Sequence, residues 1–196
     1  MALPKLKEEQ VDCFSYADYL TWDDNQRWEL IDGEAFCMSP APNRIHQKWL
    51  GELFAQFHAH LEGKPCEVYI APVDVRLSET NAAPDEETLT VVQPDLVVVC
   101  DRDKLDDRGI KGAPDLVVEI ISPSTARHDI HTKFELYQRH GIPEYWIIYP
   151  NDRTLLVYRH ADDGRYATPD VYGVEDAVPV PLLGDLMVEM GKVFRD

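Results

Sequence analysis

Residues 113–124 read Ala-Pro-Asp-Leu-Val-Val-Glu-Ile-Ile-Ser-Pro-Ser, and this stretch decides the fold. Its centre, residues 116–121, is apolar on both faces, as expected for a central strand that is covered on both sides. Ser122 and Pro123 then break the strand. A sheet of this kind needs other elements packed against it, so the stretch predicts a mixed α/β (α+β) domain with one central sheet.

The segments on either side supply helices and further strands. In residues 44–62, Leu50, Leu53 and Phe57 recur at helical spacing, and a second helix is predicted from about residue 126 to Arg139. The remaining predictions are a capped helix at 15–18, a hairpin around Asp32-Gly33, strands at 67–77, 91–100 and 145–149, a polar connection at 101–114, and a closing hairpin at 155–166.

The chain has 196 residues, and its length favours a single domain over 1–196. Within it we distinguish an N-terminal helix and hairpin (1–42), a core (43–150) and C-terminal strands (151–196). No apolar run reaches the roughly 20 residues of a membrane span. The four cysteines are far apart and form no CxxC pair, which indicates reduced thiols, no zinc site and a cytoplasmic protein.

The formal net charge is −17, which at first argues against a nucleic-acid partner. The acidic residues, however, are concentrated in 1–34, 78–90 and 151–196. The two long helical segments, 43–62 and 123–141, are close to neutral. The charge therefore does not exclude a phosphodiester substrate, and it predicts weak non-specific binding that falls steeply with salt.

Glu119 is a charged residue in the middle of the apolar strand. A carboxylate that loses its water there must be protonated, paired or bound to a metal ion. One interpretation is a buried ion pair or a residue at a sheet edge. The other is a metal ligand.

Lys133 occupies the i+3 position of the apolar stripe formed by Ile130, Phe134 and Tyr137 on the second helix. Its ammonium group either reaches water along the flexible stem or is received by a carboxylate. In the second case it can stabilise negative charge that develops during a reaction.

Asp95 and His46 are weaker candidates when each is taken alone. Asp95 lies after Pro94 at the mouth of a strand, where sheet proteins place ligand-binding groups, although Pro-Asp is also a common turn pair. His46 continues the helical stripe of Leu50, Leu53 and Phe57 backwards. It is either a satisfied core residue or a group that orients water or contacts a phosphate.

Asp95, Glu119 and Lys133 can converge at one edge of the sheet. Two carboxylates with oxygen ligands suit Mg²⁺ or Mn²⁺ rather than zinc. A hard divalent ion beside an ammonium group is suited to phosphodiester hydrolysis.

The chain resembles the Uma-type restriction endonuclease family, a domain of unknown function within the PD-(D/E)xK nuclease superfamily. The matching segments are 28–34, 38–42 with His46, 72–77, 93–99, 113–124, Asp129 with Lys133 and Tyr137, and 141–146. The resemblance implies a restriction-endonuclease-like core in the order α-β-β-β-α-β.

The resemblance also implies roles for individual residues. Asp95 would be the motif aspartate and Glu119 the acidic residue of the (D/E)xK element. Ile121 stands where that motif has lysine, so Lys133 on the following helix would take its place. Three further assignments come from the resemblance: the main-chain carbonyl of Ile120 as a metal ligand, and Glu34 and His46 as members of the catalytic set.

The sequence therefore predicts a Mg²⁺- or Mn²⁺-dependent endonuclease, a hydrolase that acts on nucleic acid and is expected to cut DNA. The main alternative is a weakly active or inactive module on the same fold that binds nucleic acid or protein. A third interpretation makes Glu119 and Lys133 a structural ion pair, which would tolerate their joint replacement. A homodimer is an open expectation, because nucleases of this superfamily often pair to cut two strands.

Overall fold

The computed structural model describes residues 13–38, 42–78, 83–121 and 129–195. The predicted break at 122–125, the start of the second helix and the motif residues 39–41 lie outside these ranges. The helices are α1 (Tyr16–Tyr19), α2 (Arg44–Leu61), α3 (Phe134–Arg139) and α4 (Met190–Val193), and a π-helical turn, Asp129–Lys133, leads into α3.

The strands in chain order are β1 (Trp28–Ile31), β2 (Glu34–Cys37), β3 (Glu67–Ile70), β4 (Val75–Leu77), β5 (Thr90–Val92), β6 (Leu96–Val99), β7 (Leu105–Asp106), β8 (Gly109–Lys111), β9 (Leu116–Ile120), β10 (Glu144–Tyr149), β11 (Thr154–Arg159), β12 (Asp170–Tyr172), β13 (Ala177–Pro179) and β14 (Met187–Glu189). Local signals account for several of the boundaries. The Ser15 capping box opens α1, Asn43 caps α2, and Asp32 and Gly33 take positive φ between β1 and β2.

The predicted core order is confirmed in a six-stranded sheet, here called the central sheet, whose strand order is β12-β11-β10-β9-β6-β3. Strands β3, β6 and β9 pair antiparallel, whereas β9 and β10 pair parallel and are joined by the connection that contains α3. With α2 before β3, the core of this sheet runs α-β-β-β-α-β. The mixed α+β fold class is therefore confirmed.

A second six-stranded sheet, the hairpin sheet, was not predicted, and it corrects the expectation of one sheet alone. Its order is β2-β1-β5-β4-β8-β7. The predicted strands 67–77 and 91–100 are each split between the two sheets. Pro72 and Pro94 lie at the breaks, where a residue without an N–H cannot continue the ladder. The polar connection 101–114 also contributes, because β7 and β8 form a hairpin within it.

The central sheet is covered on both faces. On one face α2 packs through Leu50, Leu53 and Phe57 against Leu96 and Val118, together with the C-terminal elements. A second cluster on the other face joins Val97, Val117 and Tyr137 to apolar residues of the hairpin sheet. This two-sided burial is why residues 116–121 show no polar alternation.

The cysteine prediction is wrong for one pair. Cys66 and Cys100 form a disulfide, whereas Cys13 and Cys37 are exposed free thiols. The pair flanks β3 and β6, whose register Glu67↔Val99, continued by one residue, sets the two cysteines opposite each other. Sequence spacing could not show this, because the pairing is set by strand register. In the described ranges, no helix has both the length and the apolar character that crossing a membrane requires.

Candidate active site

Two acidic residues lie at the same end of the neighbouring strands β6 and β9. The antiparallel ladder ends at the pair Leu96 and Val118; Asp95 directly precedes Leu96, and Glu119 directly follows Val118. The two carboxylates have separate partners. Asp95 contacts His46 of α2, which packs on one face of the central sheet, whereas Glu119 contacts Tyr137, which packs on the other.

The Asp95 carboxylate is held at both oxygens. Its Oδ2 accepts a hydrogen bond from the backbone N–H of Ile120 at 2.7 Å, and its Oδ1 lies 3.1 Å from His46 Nε2. Because a carboxylate only accepts, the His46 ring donates. Asn43 positions this histidine by accepting the N–H of His46 at the start of α2. The two side chains keep 19% and 11% of their surface exposed, so solvent still reaches this pair.

Glu119 and Lys133 form a buried ion pair. Lys133 Nζ lies 3.0 Å from Glu119 Oε1, and the hydroxyl of Tyr137 donates to the same oxygen at 2.8 Å. The Lys133 side chain is only 3% exposed, which excludes the interpretation in which its head group reaches water. The carboxylate interpretation of the sequence is the one that the geometry supports.

Glu29 is a member of this cluster that the sequence reasoning missed. Its Oε1 lies 2.9 Å from Lys133 Nζ and also accepts the backbone N–H of Gln93 at 2.8 Å. Glu29 is buried in β1, between apolar neighbours. The signal that selected Glu119, a carboxylate inside an apolar strand, was present here too.

The buried cluster holds one ammonium group between two carboxylates, so Glu29, Lys133 and Glu119 together carry one formal negative charge. Burial and the nearby Glu119 raise the pKa of Tyr137 well above its ordinary value of 10. The Tyr137 hydroxyl therefore remains a neutral donor to Glu119 across the physiological range. The cluster is consequently pre-organised, which is the condition under which a charged group stabilises a transition state effectively.

Glu34 lies apart from this cluster. It is exposed at the start of β2, and within the described ranges no hydrogen bond or ion pair joins its side chain to Asp95, Glu119 or Lys133. It instead lines a pocket with Thr132, the residue before Lys133. The structure thus brings together four of the predicted side chains, Asp95 with His46 and Glu119 with Lys133, and leaves Glu34 at the side.

A family model described as "Uma2: Putative restriction endonuclease" matches residues 16–190. The chain belongs to the Uma2 family. It is 30% identical over 167 residues to the uncharacterised protein slr1290 of Synechocystis sp., a match that spans 83% of this chain and 78% of that protein. A crystal structure from Anabaena variabilis, described as "a putative nuclease belonging to DUF820", superposes with a TM-score of 0.72 at 19% identity. The superposition covers 92% of this chain and 97% of the other, and it shows a shared fold.

The candidate donors in this Uma2 protein, the Asp95 and Glu119 carboxylates and the Ile120 carbonyl, are all oxygens, the ligand type that a hard divalent ion prefers. The N–H and C=O of one strand residue point to the same side, so the Ile120 carbonyl lies on the side of Asp95. Across the described part of the chain, no group of three or more His, Cys, Asp or Glu residues is placed to hold a metal ion. Two carboxylates and a carbonyl suit Mg²⁺, which usually keeps several of its waters.

Proposed function

We propose that this Uma2 protein is a divalent-metal-dependent endonuclease that hydrolyses the phosphodiester bonds of DNA. The observation that carries the proposal is the hydrogen bond from the Ile120 N–H to the Asp95 carboxylate, which holds Asp95 beside the residue that follows Glu119 and its buried partner Lys133. Asp95, Glu119 and the carbonyl of Ile120 would hold Mg²⁺ or Mn²⁺. When bound, such an ion supplies Lewis acidity and makes a water ligand more acidic.

The side chains of this chain perform the remaining tasks. Glu29 and Glu119 hold the Lys133 ammonium group, which offsets negative charge as the phosphorus centre is attacked. His46 fixes the orientation of the Asp95 carboxylate by donating to Oδ1. Neither function requires a side chain to move, since the two contacts of Lys133 and the hydrogen bond from His46 are already formed.

Two basic residues, Arg44 and Lys48, lie on the first turns of α2, and Arg44 is exposed. Each is two residues from His46, so their side chains project from a different side of the helix than the His46 ring that contacts Asp95. They add positive charge to the start of α2. The net charge of −17 lies mostly in other segments, and we expect cleavage to weaken steeply as salt increases.

A cleavage assay on supercoiled plasmid tests the proposal, with Mg²⁺ or Mn²⁺ present and with the ions removed by a chelator. We expect cleavage only with the ion, and a loss of about 100-fold or more in Glu119→Ala and in Lys133→Ala. The exposed pair Glu189 and Lys192, 2.8 Å apart, offers matched controls in Glu189→Ala and Lys192→Ala. Circular dichroism establishes that each variant is folded, and parental activity in both site variants would overturn the assignment.

The acidic character of the chain favours a second candidate, a binding module with little or no catalysis. In that case Lys133 serves only to neutralise its two carboxylates. Titration calorimetry with millimolar Mg²⁺ separates the two functions. Heat of binding that disappears in Asp95→Asn supports the nuclease, whereas DNA binding without any metal binding supports the module.

A further inference from the structure

One face of the β1–β2 hairpin extends outward from the buried lysine. The hairpin register sets Glu29 opposite Phe36 and Ile31 opposite Glu34. Opposite residues and alternate residues of a hairpin share a face, so these four side chains project together. Glu29 contacts Lys133. The side chains of Phe36, Ile31 and Glu34 therefore continue this face from the buried cluster toward the hairpin turn.

A pocket of about 420 Å³ lies on this face. Its volume falls in the range of about 300–1,000 Å³ that is usual for ligand sites. Thr132, which directly precedes Lys133, forms part of the wall, so the pocket adjoins the turn that carries the lysine. The lining residues are Cys13, Ile31, Asp32, Gly33, Glu34, Phe36 and Thr132.

The two carboxylates that line the pocket differ in their partners. Asp32 is engaged by Arg139, whose guanidinium nitrogens lie 2.7 and 3.1 Å from the two carboxylate oxygens. Glu34 is exposed and, in the described parts of the chain, has no side-chain hydrogen bond or ion pair. It is therefore available as an acceptor. Ile31 and Phe36 supply apolar surface, and a pocket with this charge disfavours a phosphate group.

We propose that this pocket binds an unstacked base of the substrate strand, one that carries an exocyclic amino group. Glu34 accepts a hydrogen bond from the amino group, as acidic side chains do with cytosine N4, and Phe36 packs against the ring. The proposal rests on the proposed nuclease function, and it makes Glu34 a specificity-determining residue. Thymine has no amino group and presents carbonyl oxygens to the carboxylate, so the pocket disfavours it.

Single-stranded oligonucleotides of only deoxycytidine, only deoxyadenosine or only thymidine test this preference. We expect the parent protein to cut the first two about tenfold faster than the thymidine strand. Glu34→Gln, which replaces an obligate acceptor with an amide that can also donate, brings that ratio close to one. Glu175→Gln is a matched control, an exposed glutamate in the connection between β12 and β13 that contributes nothing to the pocket, and it keeps the ratio.

The free thiols give a second readout that does not depend on cleavage. Cys13 lines the pocket, and Cys37, the other exposed thiol, does not. With a chelator present, the deoxycytidine strand should slow alkylation of Cys13, measured by mass spectrometry, and leave Cys37 unaffected. The thymidine strand should protect neither thiol.

The two readouts distinguish failure of this inference from failure of the nuclease assignment. Protection of Cys13 without cleavage of any strand would overturn the nuclease and leave the base pocket supported. Cleavage with equal rates on all three strands and no protection of Cys13 would overturn the base pocket and leave the nuclease supported.

Discussion

The backbone N–H of Ile120 donates a 2.7 Å hydrogen bond to the Asp95 carboxylate. This contact joins the mouth of β6 to the end of β9. It holds Asp95, one proposed metal ligand, against Ile120, the residue that follows the second proposed ligand, Glu119. An asparagine at this position would still accept the N–H but would lose the negative charge. The two tasks of Asp95, positioning and charge, are therefore separable.

Asp95→Asn should abolish most of the cleavage activity while the protein remains folded. We expect activity to fall by at least about 100-fold, and the free energy of unfolding by about 1–2 kcal/mol as a charged hydrogen bond becomes a neutral one. Plasmid cleavage and urea unfolding measure the two effects. Because His46 only orients Asp95, His46→Gln should lose less activity, about 10-fold. The reverse ranking would show that Asp95 is not the metal ligand.

Lys133→Met should destabilise the protein strongly, because it leaves the buried carboxylates of Glu29 and Glu119 without their cation. We expect a loss of about 3–5 kcal/mol in the free energy of unfolding. Glu119→Gln with Lys133→Met should recover only part of this, since Glu29 stays buried and charged. Adding Glu29→Gln should recover most of the remainder, as measured by urea unfolding.

If stability rises from Lys133→Met to the double variant and again to the triple variant, Glu29, Glu119 and Lys133 act as one unit. Equal stability of the double and triple variants would contradict it and would reduce the cluster to a simple Glu119–Lys133 pair. Lys192→Met, which removes the cation of an exposed ion pair, is the control and should change stability by less than about 1 kcal/mol.

Removal of the Cys66–Cys100 disulfide should lower stability by an amount that grows with the logarithm of the length of the loop it closes. With a sequence separation of 34, the chain-entropy model gives about 4 kcal/mol. Joint replacement of both cysteines by serine, followed by urea unfolding, measures this. Joint replacement of Cys13 and Cys37 by serine is the control. A reductant should lower the stability of the parent and of this control, and it should have no effect on the variant that lacks Cys66 and Cys100.

Alkaline conditions should destabilise this protein steeply. Burial raises the pKa of Tyr19 and Tyr69 to about 12 and that of Tyr137 well above 10. A raised folded-state pKa means that the stabilisation is complete below pH 10 and is lost as the pH rises above it, since the unfolded tyrosine ionises first.

For the fully buried Tyr137 the slope is about 1.4 kcal/mol per pH unit above pH 10. Tyr137→Phe should remove this component, as seen in unfolding experiments at several alkaline pH values. It should also lower stability at neutral pH by about 1–3 kcal/mol, because Glu119 loses a buried donor. An unchanged alkaline slope in Tyr137→Phe would show that the hydroxyl is not buried in the folded protein.

Much of the candidate site could be predicted from local pattern. Glu119 and Lys133 each interrupt an apolar pattern, and burial of those positions compels the two charges to find partners. The partner Glu29 could not be paired with Lys133 in advance, because the contact depends on how the hairpin sheet packs on the central sheet. Glu34 was selected by resemblance alone, and only the register of the hairpin places it in a pocket.

The sequence by itself determined the burial of Leu116–Ile120 on both faces, the succession of helices and strands along the core and two of the positions where charge is buried, Glu119 and Lys133. These follow from periodicity and the cost of desolvation, which act over a few neighbouring residues. Only the tertiary structure decided the second sheet, the Cys66–Cys100 bond and the contact between Glu29 and Lys133. Strand register and sheet packing join residues that are distant in the chain, and no local pattern encodes which of them will meet.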